Sequence, residues 1–304
     1  MLTYVIGDLF TSPAQVLTNT VNTVGVMGKG IAKEFKRIYP EMFARYRELC
    51  ERDQLGIGNL WLYRTPNKWI LNFPTKKHWR HPSRPEYIEA GLRTFVNFYS
   101  KFRIHSIAFP ALGCGNGELD FETQTKPLME RYLGKLPIYV FIYPPCGADP
   151  YPPEHRTPEE IKEWLRSEPE TLSFREVWDD LIAIIAKEQS FVTPRNRSPF
   201  SVSLDAKSSR IKIRTKSRTQ TFSYDQLLDF WQQLRRYGFS LARIAPNGLE
   251  RYMPYLVPIF AKLDYIKPVI LTDNYKNIDS NPSIGLQYMP FKNGPKERSK
   301  PTIL

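Results

Sequence analysis

Asn19-Thr-Val-Asn-Thr-Val-Gly-Val-Met-Gly-Lys-Gly-Ile-Ala-Lys-Glu-Phe35 is the stretch whose reading decides the fold of the first half of the chain. It starts as polar loop chemistry, passes through Gly25, Gly28 and Gly30, and ends as an amphipathic helix start with Ile31 and Phe35 on one face. A glycine-rich loop that runs into a helix N-terminus points unpaired N–H groups outward and lets a ligand approach the backbone, which makes an anion site. The spacing is neither the P-loop pattern nor the GxGxxG dinucleotide fingerprint. A glycine-rich turn before a surface helix is the other reading, and this loop alone does not choose between them.

The neighbouring sequence supplies a context. Leu2–Ile6 and Gln15–Val21 are β-rich runs, and Ile31–Arg52 has a helical pattern interrupted at Pro40. Asn59–Tyr63 and Lys68–Phe73 read as two strands joined by a tight turn, and Tyr87–Phe102 as a helix with Ile88, Leu92, Phe95, Val96 and Tyr99 on one face. Ser106–Phe109 is a buried-type strand that ends in a second glycine loop, Pro110-Ala-Leu-Gly-Cys-Gly-Asn-Gly117. A helix over Thr123–Leu133 and an apolar strand over Pro137–Tyr143 follow. Strands that alternate with helices predict an α/β layered domain with a mainly parallel sheet, and such sheets bind ligands at the carboxyl ends of their strands. Both glycine loops follow strands, so both are expected to line one crevice.

The chain has 304 residues, a length that predicts two domains. A hydrophobic content of 41% with 13% aromatic residues excludes a disordered polymer, and a net charge of +12 suits polyanionic or acidic partners. Cys50, Cys114 and Cys146 are widely spaced and include no CxxC pair, so neither a zinc site nor a disulfide framework is suggested. No apolar run approaches the ~18 residues of a membrane span. The expectation is a cytoplasmic protein with no membrane contact.

A boundary is expected at the proline-rich run around Pro150–Pro153. Residues 148–156 then read as linker, 157–285 as a smaller α+β domain, and 286–304 as a flexible tail. Helices are expected from Thr157 and over Phe174–Lys187 and Tyr224–Tyr237, a hairpin over Ser198–Thr221, a broken helix over Arg251–Tyr265, and polar loop from Thr272 on. Arg210, Lys212, Arg214, Lys216 and Arg218 recur at every second position of the expected return strand. With Arg195, Arg197 and Lys207 they make eight cations in twenty-four residues, against one acid, Asp205. Such a run suits a phosphate-tracking surface, and equally an edge strand protected by charge.

Gly7-Asp-Leu-Phe10, Asn19-Thr-Val-Asn22, Gly28-Lys-Gly-Ile-Ala32 and Pro110-Ala-Leu-Gly-Cys-Gly115, in that order, resemble the motifs of the macrodomain family, an ADP-ribose-binding fold. The resemblance covers about residues 1–147 and is nearest to the DarG branch of DNA ADP-ribosyl glycohydrolase antitoxins. It implies a three-layer α/β/α domain with a mixed, mainly parallel sheet. It also implies that Gly28, Lys29, Gly30 and Ile31 face Gly113, Cys114, Gly115, Asn116 and Gly117 across the diphosphate. Asn22 is expected at the distal ribose, Asp8 at the adenine amino group with Leu9 beside it, and Tyr143 against the adenine ring. From the residues alone, Asp8 could as well cap a turn, Tyr143 belong to the core and Asn22 shape a turn.

In the related branch that cleaves ADP-ribose from carboxylates and DNA, the lysine after Thr75 is catalytic, which assigns Lys76, with Lys77 as the fallback. An amine nucleophile needs a depressed pKa, and Lys77 and Arg80 are the neighbouring cations expected to lower it. Lys77, His78, Trp79 and Arg80 read as contacts for single-stranded nucleic acid, the ring stacking on a base and the cations meeting phosphates, and equally as a core tryptophan among exposed charges. Arg210, Lys212, Arg214 and Lys216 are assigned a similar role. One departure stands out: the family branch that acts on proteins carries an aspartate where this chain has Gly117, with Glu118 and Asp120 close by. That favours a DNA-linked substrate. The resemblance therefore implies a hydrolase of the thymine–ADP-ribose N-glycosidic bond that needs no cofactor or metal. Its partners would be ADP-ribosylated single-stranded DNA and a cognate DarT-like toxin, the latter through the second domain. A non-catalytic module that binds ADP-ribose or modified nucleic acid and sequesters a partner is the alternative.

Overall fold

The computed structural model describes residues 1–145, 147, 152–205, 208–246, 248–271 and 283–289. The chain divides into two compact units, Met1–Glu163 and Trp164–Leu304.

The first unit is built on a six-stranded sheet. Its strands are β1 (Leu2–Tyr4), β2 (Val16–Val21), β3 (Trp61–Arg64), β4 (Trp69–Pro74), β5 (Ser106–Pro110) and β6 (Tyr139–Tyr143). They lie in the order β1-β6-β5-β2-β4-β3, with every pairing parallel except the β3–β4 hairpin at one edge. The helices are α1 (Gly30–Ile38), α2 (Pro40–Glu51), α3 (Pro85–Phe98) and α4 (Lys126–Leu133). Pro40 and Pro85 sit in the first turns of α2 and α3, where a missing N–H costs nothing. Pro40 thus separates the two helices that the sequence reads as one interrupted pattern.

Strand alternation places two apolar layers on the sheet. Val16, Leu71, Phe73, Ile107, Phe109, Val140 and Ile142 face Ile88, Leu92 and Phe95 of α3 and Met129 and Leu133 of α4. Leu17, Ile70, Ala108 and Tyr143 face Phe35 of α1 and Met42, Phe43, Tyr46 and Cys50 of α2. This is the three-layer α/β/α arrangement with a mixed, mainly parallel sheet. The carboxyl ends of β2, β4, β5 and β6 all lie toward one edge of the layers, and the loops that leave them build the site.

The second unit has two antiparallel sheets. β7 (Ser190–Val192), β8 (Pro199–Asp205), β9 (Arg210–Arg214) and β10 (Thr219–Ser223) form one, in the order β10-β9-β8-β7. β11 (Phe239–Ser240), β12 (Ile266–Leu271) and β13 (Ser283–Tyr288) form the other, in the order β11-β13-β12. Helix α5 (Pro158–Ser167) straddles the division, and α6 (Phe174–Lys187), α7 (Tyr224–Tyr237) and α8 (Met253–Phe260) complete the unit. Helix α7 opens with a reciprocal Ser223/Gln226 capping box and closes at Gly238 in the left-handed conformation, φ 75°. Phe200, Val202, Ile211, Ile213 and Phe222 are buried on one face of the first sheet.

Three expectations are corrected here. The hairpin over Ser198–Thr221 is three strands, and β9 ends at Arg214, because Thr215 closes a turn with its backbone and hydroxyl on Arg218. Lys216 therefore sits on a turn and not on the strand. The polar stretch after Thr272 contains β13, which pairs with β12 along its whole length, so 286–288 is strand and not tail. The rest of the expected tail, from residue 290, lies outside the described residues. The described part of the 148–156 stretch belongs to the first unit, where Glu154–Arg156 make a short helical turn. Among the described residues, no helix is long and apolar enough to cross a membrane.

Candidate functional site

A cavity of about 750 Å3 opens where β2, β4, β5 and β6 end. That lies inside the range of roughly 300–1,000 Å3 usual for small-molecule sites. Its walls come from Asn22 and Gly28–Ala32 on one side, Gly113–Gly117 on the other, Thr75 and Lys76 from the end of β4, Tyr143 from β6, and Pro153 and Glu154.

The first wall is fixed by Asn22. Its Nδ2 donates to the carbonyl of Val26 (2.7 Å), while its Oδ1 accepts from the N–H groups of Val24 (3.1 Å) and Val26 (3.3 Å). The Tyr46 hydroxyl donates to the Asn22 carbonyl at 2.8 Å. The loop is thus closed on a buried amide, and Gly28–Gly30 are presented as backbone. Helix α1 begins at Gly30, φ +57°, with no side chain capping its first turn and no acidic residue in that turn. Its first N–H groups are left to an anion.

The two glycine loops come close together. A Cβ on Gly30 would stand 2.8 Å from Nδ2 of Asn116. A Cβ on Gly117 would stand 2.2 Å from the Gly113 carbonyl oxygen and 2.3 Å from the Ser83 hydroxyl. No side chain fits at position 117 without moving backbone, so the family aspartate has no room here. Cys114 lines the cavity beside Thr125 (Sγ···Oγ1 3.1 Å), and burial pushes its thiol up, away from thiolate.

Lys76 is buried at the mouth of β4, its side chain 6% exposed, and its Nζ pairs with Oε1 of Glu154 at 3.2 Å. Burial is the first cause that lowers the Lys76 pKa, Glu154 and Glu118 oppose it, and Lys29 adds to it. The expected cations, Lys77 and Arg80, are not what lowers it. Lys77 is exposed, and the N–H and hydroxyl of Thr23 hold its carbonyl. Of the two adjacent lysines, only Lys76 reaches the cavity.

Residues 18–127 match the Macro domain family. The first unit is a macrodomain. Over 152 residues the chain is 46% identical to the DNA ADP-ribosyl glycohydrolase of Mycobacterium tuberculosis, covering 49% of this chain and 43% of that protein. It is 42% identical over 163 residues to a DNA ADP-ribosyl transferase–DNA ADP-ribosyl glycohydrolase fusion protein of Thermosipho africanus, covering 47% of this chain and 42% of the fusion. Among solved structures, the macrodomain of Thermus aquaticus DarG is 47% identical, with a TM-score of 0.46, covering 48% of this chain and 99% of that one. The chain spans less than half the length of these two curated relatives.

The macrodomain cavity brings together Asn22, Gly28, Lys29, Gly30, Ile31, Lys76, Gly113, Cys114, Gly115, Asn116, Gly117 and Tyr143. Asp8 and Leu9 are not among its walls. Asp8 caps the short turn after β1 through the N–H of Phe10 (3.0 Å), and Leu9 is buried in the layer beneath α1. Tyr143 is both wall and core. Trp79 cannot stack on a base: its ring is fully buried, with the Arg80 guanidinium 4.4 Å over it. His78 receives the Arg80 N–H on Nδ1 (3.1 Å), and burial first, then Arg80, His81 and Lys76, push its pKa down to about 3.

Glu154 is the residue that sequence reasoning missed. It lies in a proline-rich run that reads as linker, and no periodic pattern marks it. The one available signal was an acid directly after Pro152-Pro153, a rigid extended pair that can hold a side chain in place.

Proposed function

We propose that the chain removes ADP-ribose from DNA, cleaving the N-glycosidic bond between the distal ribose and a thymine base, and so acts as antitoxin to a DNA ADP-ribosyltransferase. The observation that carries this is Lys76. It is a buried amine of lowered pKa set between two glycine loops, in a macrodomain that is 46% identical to a protein named DNA ADP-ribosyl glycohydrolase.

In this reading the α1 N-terminus and the Gly113–Gly117 loop hold the diphosphate. Tyr143 meets the adenine ring, and Asn22 lies toward the distal ribose. Lys76 attacks the anomeric carbon. Lys77, His78 and Arg80 lie on the side from which DNA approaches. In the second unit, β9 carries Arg210, Lys212 and Arg214 on the exposed face of its sheet, and Lys216 follows on the turn. In register beside these three cations stand Ser201 and Thr219 at Arg214, Ser203 and Thr221 at Lys212, and Asp205 and Ser223 at Arg210. Asp205 also pairs with Lys212 at 3.3 Å, and the hydroxyls beside the cations suit a phosphate backbone. The Thermosipho relative joins a DNA ADP-ribosyl transferase to a DNA ADP-ribosyl glycohydrolase in one protein. That supports a toxin of this class as partner, taken up through the second unit.

The test is incubation with thymidine-ADP-ribosylated single-stranded DNA, with release of ADP-ribose followed by chromatography. Wild-type protein should release it and Lys76→Ala should not. Tight ADP-ribose binding without any release would establish the binding module in place of the hydrolase.

A further inference from the structure

We propose that Glu154 is the proton partner of Lys76, taking the proton that frees the amine and passing it to the departing base. The proposal rests on the glycohydrolase reading and adds the acid that reading lacks.

The geometry leads to it in three steps. First, position 117 cannot carry a carboxylate, because a Cβ there meets the Gly113 carbonyl oxygen at 2.2 Å. Second, a carboxylate from another segment reaches the same cavity. Glu154 has a side chain 8% exposed, and its Oε1 stands 3.2 Å from the Lys76 amine. Third, the segment that carries Glu154 is tied down on both sides. Lys29 in the first glycine loop donates to the Pro152 carbonyl, and the Glu154 N–H donates to Oδ1 of Asn116 in the second (3.3 Å). Just beyond, Glu118 binds both His155 (2.7 Å to Nε2) and Arg156. A buried acid held in this way is placed, not incidental.

The charged and titratable groups around the pair are Lys29, Glu118, His155 and Tyr46. Burial raises the carboxyl pKa and lowers the amine pKa, while the attraction between the two groups opposes both shifts. The step balances. The ammonium of Lys76 gives a proton to the Glu154 carboxylate. The free amine forms a bond to the anomeric carbon as the bond from that carbon to the thymine nitrogen breaks. The thymine anion takes the proton from the Glu154 carboxyl, which returns to carboxylate. The new ammonium then loses a proton to the carboxylate. The bond from the anomeric carbon to the ring oxygen breaks as that oxygen takes the proton back from Glu154, leaving an iminium. Water adds to the iminium and releases ADP-ribose, with Lys76 again an ammonium and Glu154 a carboxylate.

The experiment compares wild type, Glu154→Gln and Glu154→Asp on two substrates: thymidine-ADP-ribosylated single-stranded DNA, and an ADP-ribose carrying a nitrophenolate leaving group at the same carbon. ADP-ribose affinity by calorimetry checks the fold of the cavity. Glu154→Gln should bind ADP-ribose as wild type does, and lose about 10²-fold or more in rate on the DNA substrate. It should lose far less on the nitrophenolate, which needs no acid, and Glu154→Asp should recover part of the DNA rate. An equal loss on both substrates would show that Glu154 only holds Lys76 and would overturn the proposal. So would an undiminished DNA rate in Glu154→Gln. An inactive wild type would overturn the glycohydrolase reading itself, which separates the two failures.

Discussion

Substituting Gly117 by alanine adds a single methyl group at the narrowest point of the cavity wall. The Cβ would lie 2.2 Å from the Gly113 carbonyl oxygen and 2.3 Å from the Ser83 hydroxyl, against ordinary contact at 3.4 Å and beyond. One of the two backbones must therefore retreat by about 1.2 Å, the difference between 3.4 and 2.2 Å. Neither is free to do so. The Gly117 carbonyl accepts from the Ser83 N–H at 2.9 Å, and the Gly113 carbonyl accepts from the Leu119 N–H at 3.0 Å. Forcing a methylene-sized group into such packing costs about 1–3 kcal/mol. In a domain of this size each kcal/mol lowers Tm by roughly 2–4 °C, so the first unit should melt about 2–12 °C lower.

The same displacement pulls the Gly113–Gly117 backbone away from its place opposite Gly30, so ADP-ribose affinity should fall with stability. Differential scanning calorimetry and titration calorimetry with ADP-ribose read the two effects. Gly117→Asp should be worse than Gly117→Ala on both. A Gly117→Ala protein with wild-type melting and wild-type affinity would refute the claim that this loop excludes a side chain. It would also mean that position 117 has room for a carboxylate of its own.

Trp79→Ala should destabilise the first unit by about 3–5 kcal/mol in chemical denaturation, since the ring is fully buried, whereas Lys77→Ala should stay within about 0.5 kcal/mol. The Arg210→Gln, Lys212→Gln, Arg214→Gln triple variant should weaken single-stranded DNA binding and flatten its log–log salt slope by about 2, from three phosphate contacts at ~0.7 each; an unchanged slope would remove that face from the DNA interface. His78 has a folded pKa of about 3 against an ordinary 6.5, so the unfolded chain takes up this proton first and stability is lost as pH falls below about 6.5 toward 3. His78→Asn should flatten that part of the acid-unfolding curve, and an identical acid limb would contradict the shift.

The sequence was most legible where backbone chemistry decides the outcome. The α/β alternation, the break at Pro40, the two glycine loops and their convergence at the strand ends all follow from local patterns, and the structure contains each of them. Side-chain direction was less legible. Lys77-His-Trp-Arg80 has the composition of a nucleic-acid contact, but the turn after Lys76 sends Trp79 inward to full burial. No periodicity in so short a loop separates the two outcomes. Asp8 shows the same limit: its chemistry suits both a turn cap and an adenine contact, and the structure shows the cap. On β9 the alternation of Arg and Lys with Ile fixed the two faces of the sheet correctly and overran the strand end, because Thr215 can bond to Arg218 as well as extend the ladder. The tertiary ion pair of Lys76 with Glu154, seventy-eight positions apart, has no local signature at all.

That ion pair changes what the absence of an aspartate at Gly117 means. Taken alone, a missing acid argues for a cavity that binds ADP-ribose and does not turn it over. Yet the crowding that excludes a side chain at 117 comes from Gly113 in the same loop and from Ser83, so it belongs to the tight turn by which, in the proposed reading, this loop turns backbone N–H groups toward a diphosphate. With position 117 closed to a side chain, an acid for this cavity can come from a segment outside the loop. Pro152-Pro153-Glu154 is such a segment, held by Lys29 and Asn116, the side chains that flank the two glycine turns. In the proposed mechanism binding and proton transfer are coupled through these tethers, so a substitution that loosens either loop should also release Glu154 from Lys76.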